Sequence, residues 1–93
     1  MIVRFYIDQF QPGNFEYRVN HEGEDLFGDA GLASVKECLV AALEGLGSDA
    51  LGAEVAYKNV VSGTYPLASL ALMSAQIAEH ALNTTAAIEE LLR

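Results

Sequence analysis

The amino-acid sequence predicts an α+β fold, a two-layer sandwich in which a mainly antiparallel sheet packs against two helices in the order ββ(β)αβα. Apolar and polar residues alternate along the N-terminal part of the chain, as they do in half-buried strands. Between Leu32 and Leu46 the apolar residues follow a helical period, which is typical of an amphipathic helix. The twenty positions Asn59–Ala78 carry no formal charge. Elements with one apolar side each bury those sides against one another in two layers.

The chain begins with two predicted strands joined by a turn. Segments 2–10 and 15–20 both alternate, and Gln11–Asn14 contains the Pro-Gly pair of a type II turn. A tight pairing of Phe10 with Phe15 would place the apolar sides of the two strands on opposite faces of the sheet. We therefore expect a bulge near the turn, because one extra residue returns both apolar sides to one face.

A short third strand, or an anchoring pair, is predicted at Leu26–Phe27, and an amphipathic helix follows it. Ser34 and Glu37 have the spacing of a capping box, in which each residue satisfies a free N–H group at the start of the helix. Gly45 and Gly47 are expected to end the helix, since glycine is the usual residue at that position.

The second half of the chain predicts one more strand, Ala53–Val61, and a last helix from about Leu67 to Arg93 with Pro66 at its start. An unbroken helix of that length would span ~40 Å. That is long beside the ~12 Å radius of gyration of a compact domain of this size. The helix therefore either breaks near Asn83, where weak helix formers cluster, or packs its far end on another subunit.

Length and composition predict one domain, residues 1–93, with enough apolar residues to form a core. The chain has 93 residues, of which 52% are apolar and 19% charged. The core is expected to consist of the large residues on the apolar sides of the predicted elements: Val3, Phe5, Ile7, Tyr17, Val19, Leu32, Val35, Leu39, Leu43, Val55, Leu70 and Ile77.

The charge balance is strongly acidic, with thirteen acids against five bases and a net charge of -8. Such a balance opposes direct nucleic-acid binding and association with anionic membranes. It is compatible with a protein partner that has a basic surface. No signal-peptide core is evident, and polar residues dilute the uncharged run, so we expect cytoplasmic residence and no membrane span. The single cysteine, Cys38, cannot form an internal disulfide and is expected to be a small buried apolar residue.

The densest polar group in the sequence is Glu22, Glu24, Asp25 and Asp29. It lacks the alternating oxygen ligands of a calcium-binding loop, and a glycine-containing turn favours full hydration. We interpret it as a solvated turn, with a weak cation site or catalysis as alternatives. The sequence assigns no catalytic residue, no cofactor and no metal ligand.

The sequence favours a small non-enzymatic protein that acts by association, as a homodimer. The last helix has a polar but nearly uncharged side and several small residues, which allow another backbone to approach closely. The alternative is that these residues pack on the protein's own sheet. The predicted interface consists of the following residues of that helix: Leu70, Met73, Ser74, Ile77, Ala78, His80 and Ala81.

The sequence is compatible with two other functions. One is an acidic inhibitor or nucleic-acid mimic, such as a phage anti-CRISPR protein, which requires the acids to converge on one face. The other is a small-ligand carrier or enzyme with a pocket between sheet and helices, using Tyr6, Tyr57 or His80. That function requires a concave pocket with at least two convergent polar groups.

The layout from Val3 to Glu44, a strand hairpin followed by a small turn and an amphipathic helix, is similar to that of HicB-type antitoxins. The resemblance covers less than half of the chain. The C-terminal part has no evident helix-turn-helix, and no site residue is transferred from the resemblance.

Overall fold

The computed structural model describes all 93 residues and confirms the α+β prediction. Five strands form one sheet in the order β3-β2-β1-β4-β5, and helices cover one of its faces. All neighbouring strands are antiparallel except β1 and β4, which are parallel. The elements are β1 (Ile2–Gln11), β2 (Asn14–His21), β3 (Glu24–Leu32), α1 (Val35–Glu44), β4 (Gly52–Tyr57), β5 (Val60–Pro66), α2 (Leu67–Leu72) and α3 (Ser74–Leu91).

The β1–β2 hairpin has the predicted bulge. Phe5 lies opposite Val19 and Ile7 lies opposite Tyr17, so both apolar sides share one face of the sheet. The register shifts between Gln9 and Gln11, next to the turn. The bulge follows from burial, because a one-residue slip would expose the apolar side of a whole strand.

Helix α1 begins at the predicted cap. The Ser34 Oγ accepts a hydrogen bond from the Glu37 N–H at 3.1 Å, and the Glu37 carboxylate accepts one from the Ala33 N–H at 2.8 Å. Gly45 ends the helix. A Cβ atom at Gly45 would lie 2.5 Å from the Phe27 ring, so a larger residue at this position would displace the Phe27 side chain of β3.

The core lies between the sheet and the helices and contains all the predicted residues. Ten of the predicted core residues are buried, while Leu32 and Leu43 are half-buried and pack against the others. Each large side chain buried in this way stabilises the fold by ~1.5–3 kcal/mol. Cys38 is also buried, as predicted, and burial raises the pKa of its thiol to about 12.

The predicted strand Ala53–Val61 is wrong in its extent. The chain reverses at Lys58 and Asn59, so that β4 and a separate strand β5 form a hairpin. Both turn residues have positive φ angles, 52° and 64°, as the two-residue hairpin turn that fits the twist of a sheet requires. The usual glycine signal is missing, and lysine rarely adopts this conformation. An ion pair of 3.7 Å between Lys58 and Glu89 ties the turn to α3.

The last helical segment breaks at Met73, so the alternative of a break near Asn83 is wrong. Met73 has non-helical angles, φ -123° and ψ 28°, and separates α2 from α3. Helix α3 then continues through Asn83, because Thr85 is buried and its Oγ1 donates to the Tyr57 carbonyl oxygen at 3.0 Å. Eighteen helical residues span ~27 Å, which fits within the 41 Å longest dimension of the molecule.

Candidate functional site

The structure buries most of the predicted interface within the chain. Helix α3 packs on β4, β5 and α1, and its small residues allow this close contact. Two members of the predicted set, Met73 and His80, are exposed. The buried members are Leu70, Ser74, Ile77, Ala78 and Ala81. Four of these five residues, all but Ala81, belong to the uncharged run 59–78, and half of the twenty residues of that run are exposed.

The opposite face of the sheet is open, because no helix covers it. Alternation along each strand places polar residues on this open face and apolar residues in the core. The open face is defined by the side chains of Ile2, Arg4, Tyr6 and Asp8 on β1, Glu16, Arg18 and Asn20 on β2, Asp25 on β3 and Glu54 on β4. It is the candidate functional site.

Tyr6 lies at the centre of the open face between two arginines. The Arg18 guanidinium carbon is 4.1 Å from the centroid of the Tyr6 ring, a cation–π contact. Arg4 Nη1 donates a hydrogen bond to the Tyr6 hydroxyl at 2.9 Å, and this bond raises the pKa of Arg4. Sequence analysis named Tyr6 as a candidate site residue but not the two arginines. Side chains alternate between the faces of a strand, so the positions of Arg4 and Arg18 could have predicted that both lie on the same face as Tyr6.

Each of these arginines has a carboxylate partner within the chain. Arg4 forms an ion pair with Glu54, and Arg18 Nη1 lies 3.2 Å from Asp25 Oδ1. The same Asp25 oxygen accepts a hydrogen bond from Asn20 Nδ2 at 2.8 Å. The Asn20 hydrogen bond, followed by the contact with Arg18, lowers the pKa of Asp25. The positive charges of the open face are therefore compensated internally.

Two carboxylates on the open face have no such compensation. Asp8 and Glu16 lie directly opposite each other on β1 and β2, and no ion pair of the chain includes either residue. Like charges placed directly opposite in an antiparallel pair destabilise a sheet. On this general ground we expect neutral side chains at these two positions to stabilise the sheet.

Two hollows adjoin Tyr6 and Arg18 on this face. The larger, about 580 Å³, extends toward Arg4, Asn20 and Glu54. The smaller, about 300 Å³, contains the Asp8–Glu16 pair together with Asp29 and Ala30. The open face thus has one region where charges are paired and a neighbouring region where negative charge is in excess.

The other predicted sites are dispersed. Tyr6 is on the open face, Tyr57 is buried on the covered face, and His80 is exposed on α3, so these three residues do not line a common pocket. The remaining acids lie in the β2–β3 turn, on β3, on helices α1 and α3 and in the loop before β4 rather than on one face. This distribution gives no support to a nucleic-acid mimic. No three His, Cys, Asp or Glu side chains are grouped as a metal site requires.

Comparison with protein-family models, with curated proteins and with solved structures finds no match for this chain. None of its helices combines the length and the apolar character needed to cross a membrane.

Proposed function

We propose that this protein is not an enzyme and acts by binding another protein through the open face of its sheet. The observation that supports this proposal is the uncompensated Asp8–Glu16 pair in the smaller hollow. The partner is expected to place a lysine or arginine side chain between these two carboxylates. This is the basic-surface partner that the acidic composition permits.

The negative charge of the smaller hollow is complementary to a cationic side chain. Binding a cationic group would remove the repulsion between Asp8 and Glu16 and replace it with two favourable contacts. The two arginines nearby would not compete for these acids, because Arg4 and Arg18 are engaged with other carboxylates.

The surroundings of the hollow also fit a protein partner. Tyrosine and arginine are the residue types most often found at the energetic centre of protein interfaces, and Tyr6 and Arg18 both line this hollow. Ala30, at its border, adds an apolar surface for the methylene groups of a long basic side chain.

The proposal is tested by nuclear magnetic resonance titration with acetyl-arginine methylamide as the probe. We expect saturable shifts at the amide signals of Asp8, Glu16 and Ala30, and none with acetyl-leucine methylamide. The double variant Asp8→Asn/Glu16→Gln should weaken binding by about tenfold or more. It should also raise the melting temperature of the free protein, since it removes the like-charge pair.

The matched control is Glu79→Gln/Glu90→Gln, which changes the net charge by the same amount at exposed positions of α3, away from the open face. It should leave the dissociation constant of the probe within about twofold. Equal weakening in both double variants would overturn the proposal, because the probe would then respond only to total charge. Saturable shifts with magnesium chloride that displace the probe would also overturn it and reassign the hollow to a metal ion.

A further inference from the structure

Strand β3 is an outer strand of the sheet, so one side of its backbone faces no neighbouring strand. Its pairing with β2 is regular from Phe27 to Ala30 and irregular on either side of that stretch. None of the backbone hydrogen bonds outside the strands and helices involves this stretch. Its one backbone contact with a side chain is the Ala30 N–H, which donates to Asp29 Oδ1 at 2.8 Å. This β3 edge therefore presents about 13 Å of backbone that can pair with another strand.

Two hollows border the β3 edge on opposite faces of the sheet. The smaller hollow of the open face ends at Asp29 and Ala30. A third hollow, about 480 Å³, lies on the covered side between the end of β3 and helix α1, and its apolar residues are Leu32, Val40 and Ala41. A strand added along β3 would direct successive side chains into the two hollows in turn, because side chains alternate between the faces of a sheet.

The path from the β3 edge to the smaller hollow is open. The residues of β3 that lie opposite Arg18 and Glu16 are Gly28 and Ala30, which have the two smallest side chains. A Cβ atom at Gly28 would lie 2.5 Å from the Tyr17 carbonyl oxygen, so a larger residue does not fit there without a backbone shift. An added strand would run about 10 Å from β2, and a long side chain that crosses Gly28 and Ala30 would enter the hollow from the Glu16 side.

We infer that the protein partner binds as an extended basic segment that pairs with the β3 edge and adds a strand to the sheet. This inference rests on the proposed function, because the lysine or arginine of the segment is the side chain that enters the hollow of Asp8 and Glu16. The next residue of the segment is apolar and contacts Val40 and Ala41 in the third hollow. In such strand addition, backbone hydrogen bonds supply affinity and the hollows for alternate side chains supply specificity.

Charge favours a basic segment at β3 over the other edge of the sheet and over a second copy of the chain. Strand β5, the other outer strand, has no charged residue from Val60 to Pro66. The acids on β3 and in the lining of the third hollow are Glu24, Asp25, Asp29, Glu37 and Glu44. They attract a basic segment. The net charge of -8 opposes a second copy, because its β3 would bring the same acids against these.

The inference is tested by nuclear magnetic resonance titration with a five-residue peptide, acetyl-Thr-Leu-Arg-Leu-Thr-amide. Its dissociation constant should be lower than that of acetyl-arginine methylamide by about tenfold or more. The amides from Phe27 to Ala30 should become protected from hydrogen exchange, while those of β5 should not change. The control is the same peptide methylated on its three central backbone nitrogens, which keeps every side chain but removes the donors. It should bind no more than about threefold tighter than acetyl-arginine methylamide.

The third hollow is tested by two matched variants of exposed valines. Val40, 37% exposed, lines the hollow, and Val61, 46% exposed, lies on β5. Val40→Ala should raise the dissociation constant of the peptide about fivefold, since it removes apolar contact area. Val61→Ala should leave that constant within about twofold, and neither variant should alter the binding of acetyl-arginine methylamide. Equal effects of the two variants on the peptide would overturn the assignment of the third hollow.

Failure of this inference and failure of the proposed function give different results. Equal affinity for the peptide and its methylated form, or protection at β5 instead of β3, would overturn strand addition. The shifts of Asp8 and Glu16 with acetyl-arginine methylamide would then persist, and the proposed function would stand. Absence of those shifts would overturn the proposed function and this inference with it.

Discussion

The covered and open faces of the same sheet are held in place by different forces. On β1, Ile7 is 1% exposed in the core, while Ile2, five residues earlier on the open face, is 51% exposed. The covered face is stabilised by the removal of large apolar side chains from water. The open face is organised by ion pairs and a cation–π contact around Tyr6.

This difference shows which residues can be selected for function without a large loss of folding free energy. Exposed ion pairs each contribute about 0–1 kcal/mol, less than most buried apolar side chains contribute. Residues of the open face can therefore change with little cost to folding, and an unfavourable pair such as Asp8–Glu16 is tolerated there. The same change on the covered face would threaten a domain of this size, whose total stability is on the order of 5–15 kcal/mol.

The largest expected effect contrasts the two isoleucines of β1. Ile7→Ala should lower the free energy of unfolding by ~2–5 kcal/mol, because it leaves a cavity in a packed core. Ile2→Ala, the same substitution on the open face, should cost less than about 1 kcal/mol. Chemical denaturation of both variants measures the difference. Equal costs would contradict the assignment of the two faces.

A smaller effect is expected at the hydrogen bond that holds α3 to the sheet. Thr85→Val keeps the shape of the side chain but removes the donor to the Tyr57 carbonyl oxygen, so it should cost about 1 kcal/mol. Thr84→Val changes the neighbouring, half-buried threonine and serves as the control. If the two variants unfold at the same denaturant concentration, Thr85 does not secure the helix.

The smallest expected effect is the pH dependence of the stability that Asp25 of the open face contributes to the folded state. Asn20, and then Arg18, lower the pKa of Asp25 in the folded state. Its stabilising contribution is therefore complete above the unfolded pKa of about 3.9 and is lost as the pH falls through the lower folded pKa. Asp25→Asn should lose less stability than the unmodified chain between about pH 5 and about pH 2.

Thermal unfolding across this pH range checks the prediction for Asp25. Glu24→Gln, which makes the same charge change outside the contacts of Arg18 and Asn20, is the control and should follow the unmodified chain. Parallel pH curves for all three proteins would show that the Asp25 contacts do not stabilise the folded state.

The candidate site was only partly accessible from the sequence. Alternation placed Arg4, Tyr6 and Asp8 on one side of β1, but it did not reveal which strands would lie beside them. The pairing of Asp8 with Glu16, and of Arg4 with Glu54, depends on register and on strand order. The parallel β1–β4 neighbours are far apart in sequence, and no local pattern specifies their contact.

The sequence by itself determined the α+β class, the β1–β2 bulge, the N-terminal cap of α1 and the core, because each depends on local periodicity or on a local hydrogen bond. The tertiary structure decided the β4–β5 hairpin, the break at Met73 and which residues of the uncharged run 59–78 are buried. Lys58 and Asn59 adopt an uncommon conformation only because β5 gains its pairing with β4 and its packing under α3. The burial of Thr85 keeps α3 helical through weak helix formers, since packing outweighs the small differences in local propensity.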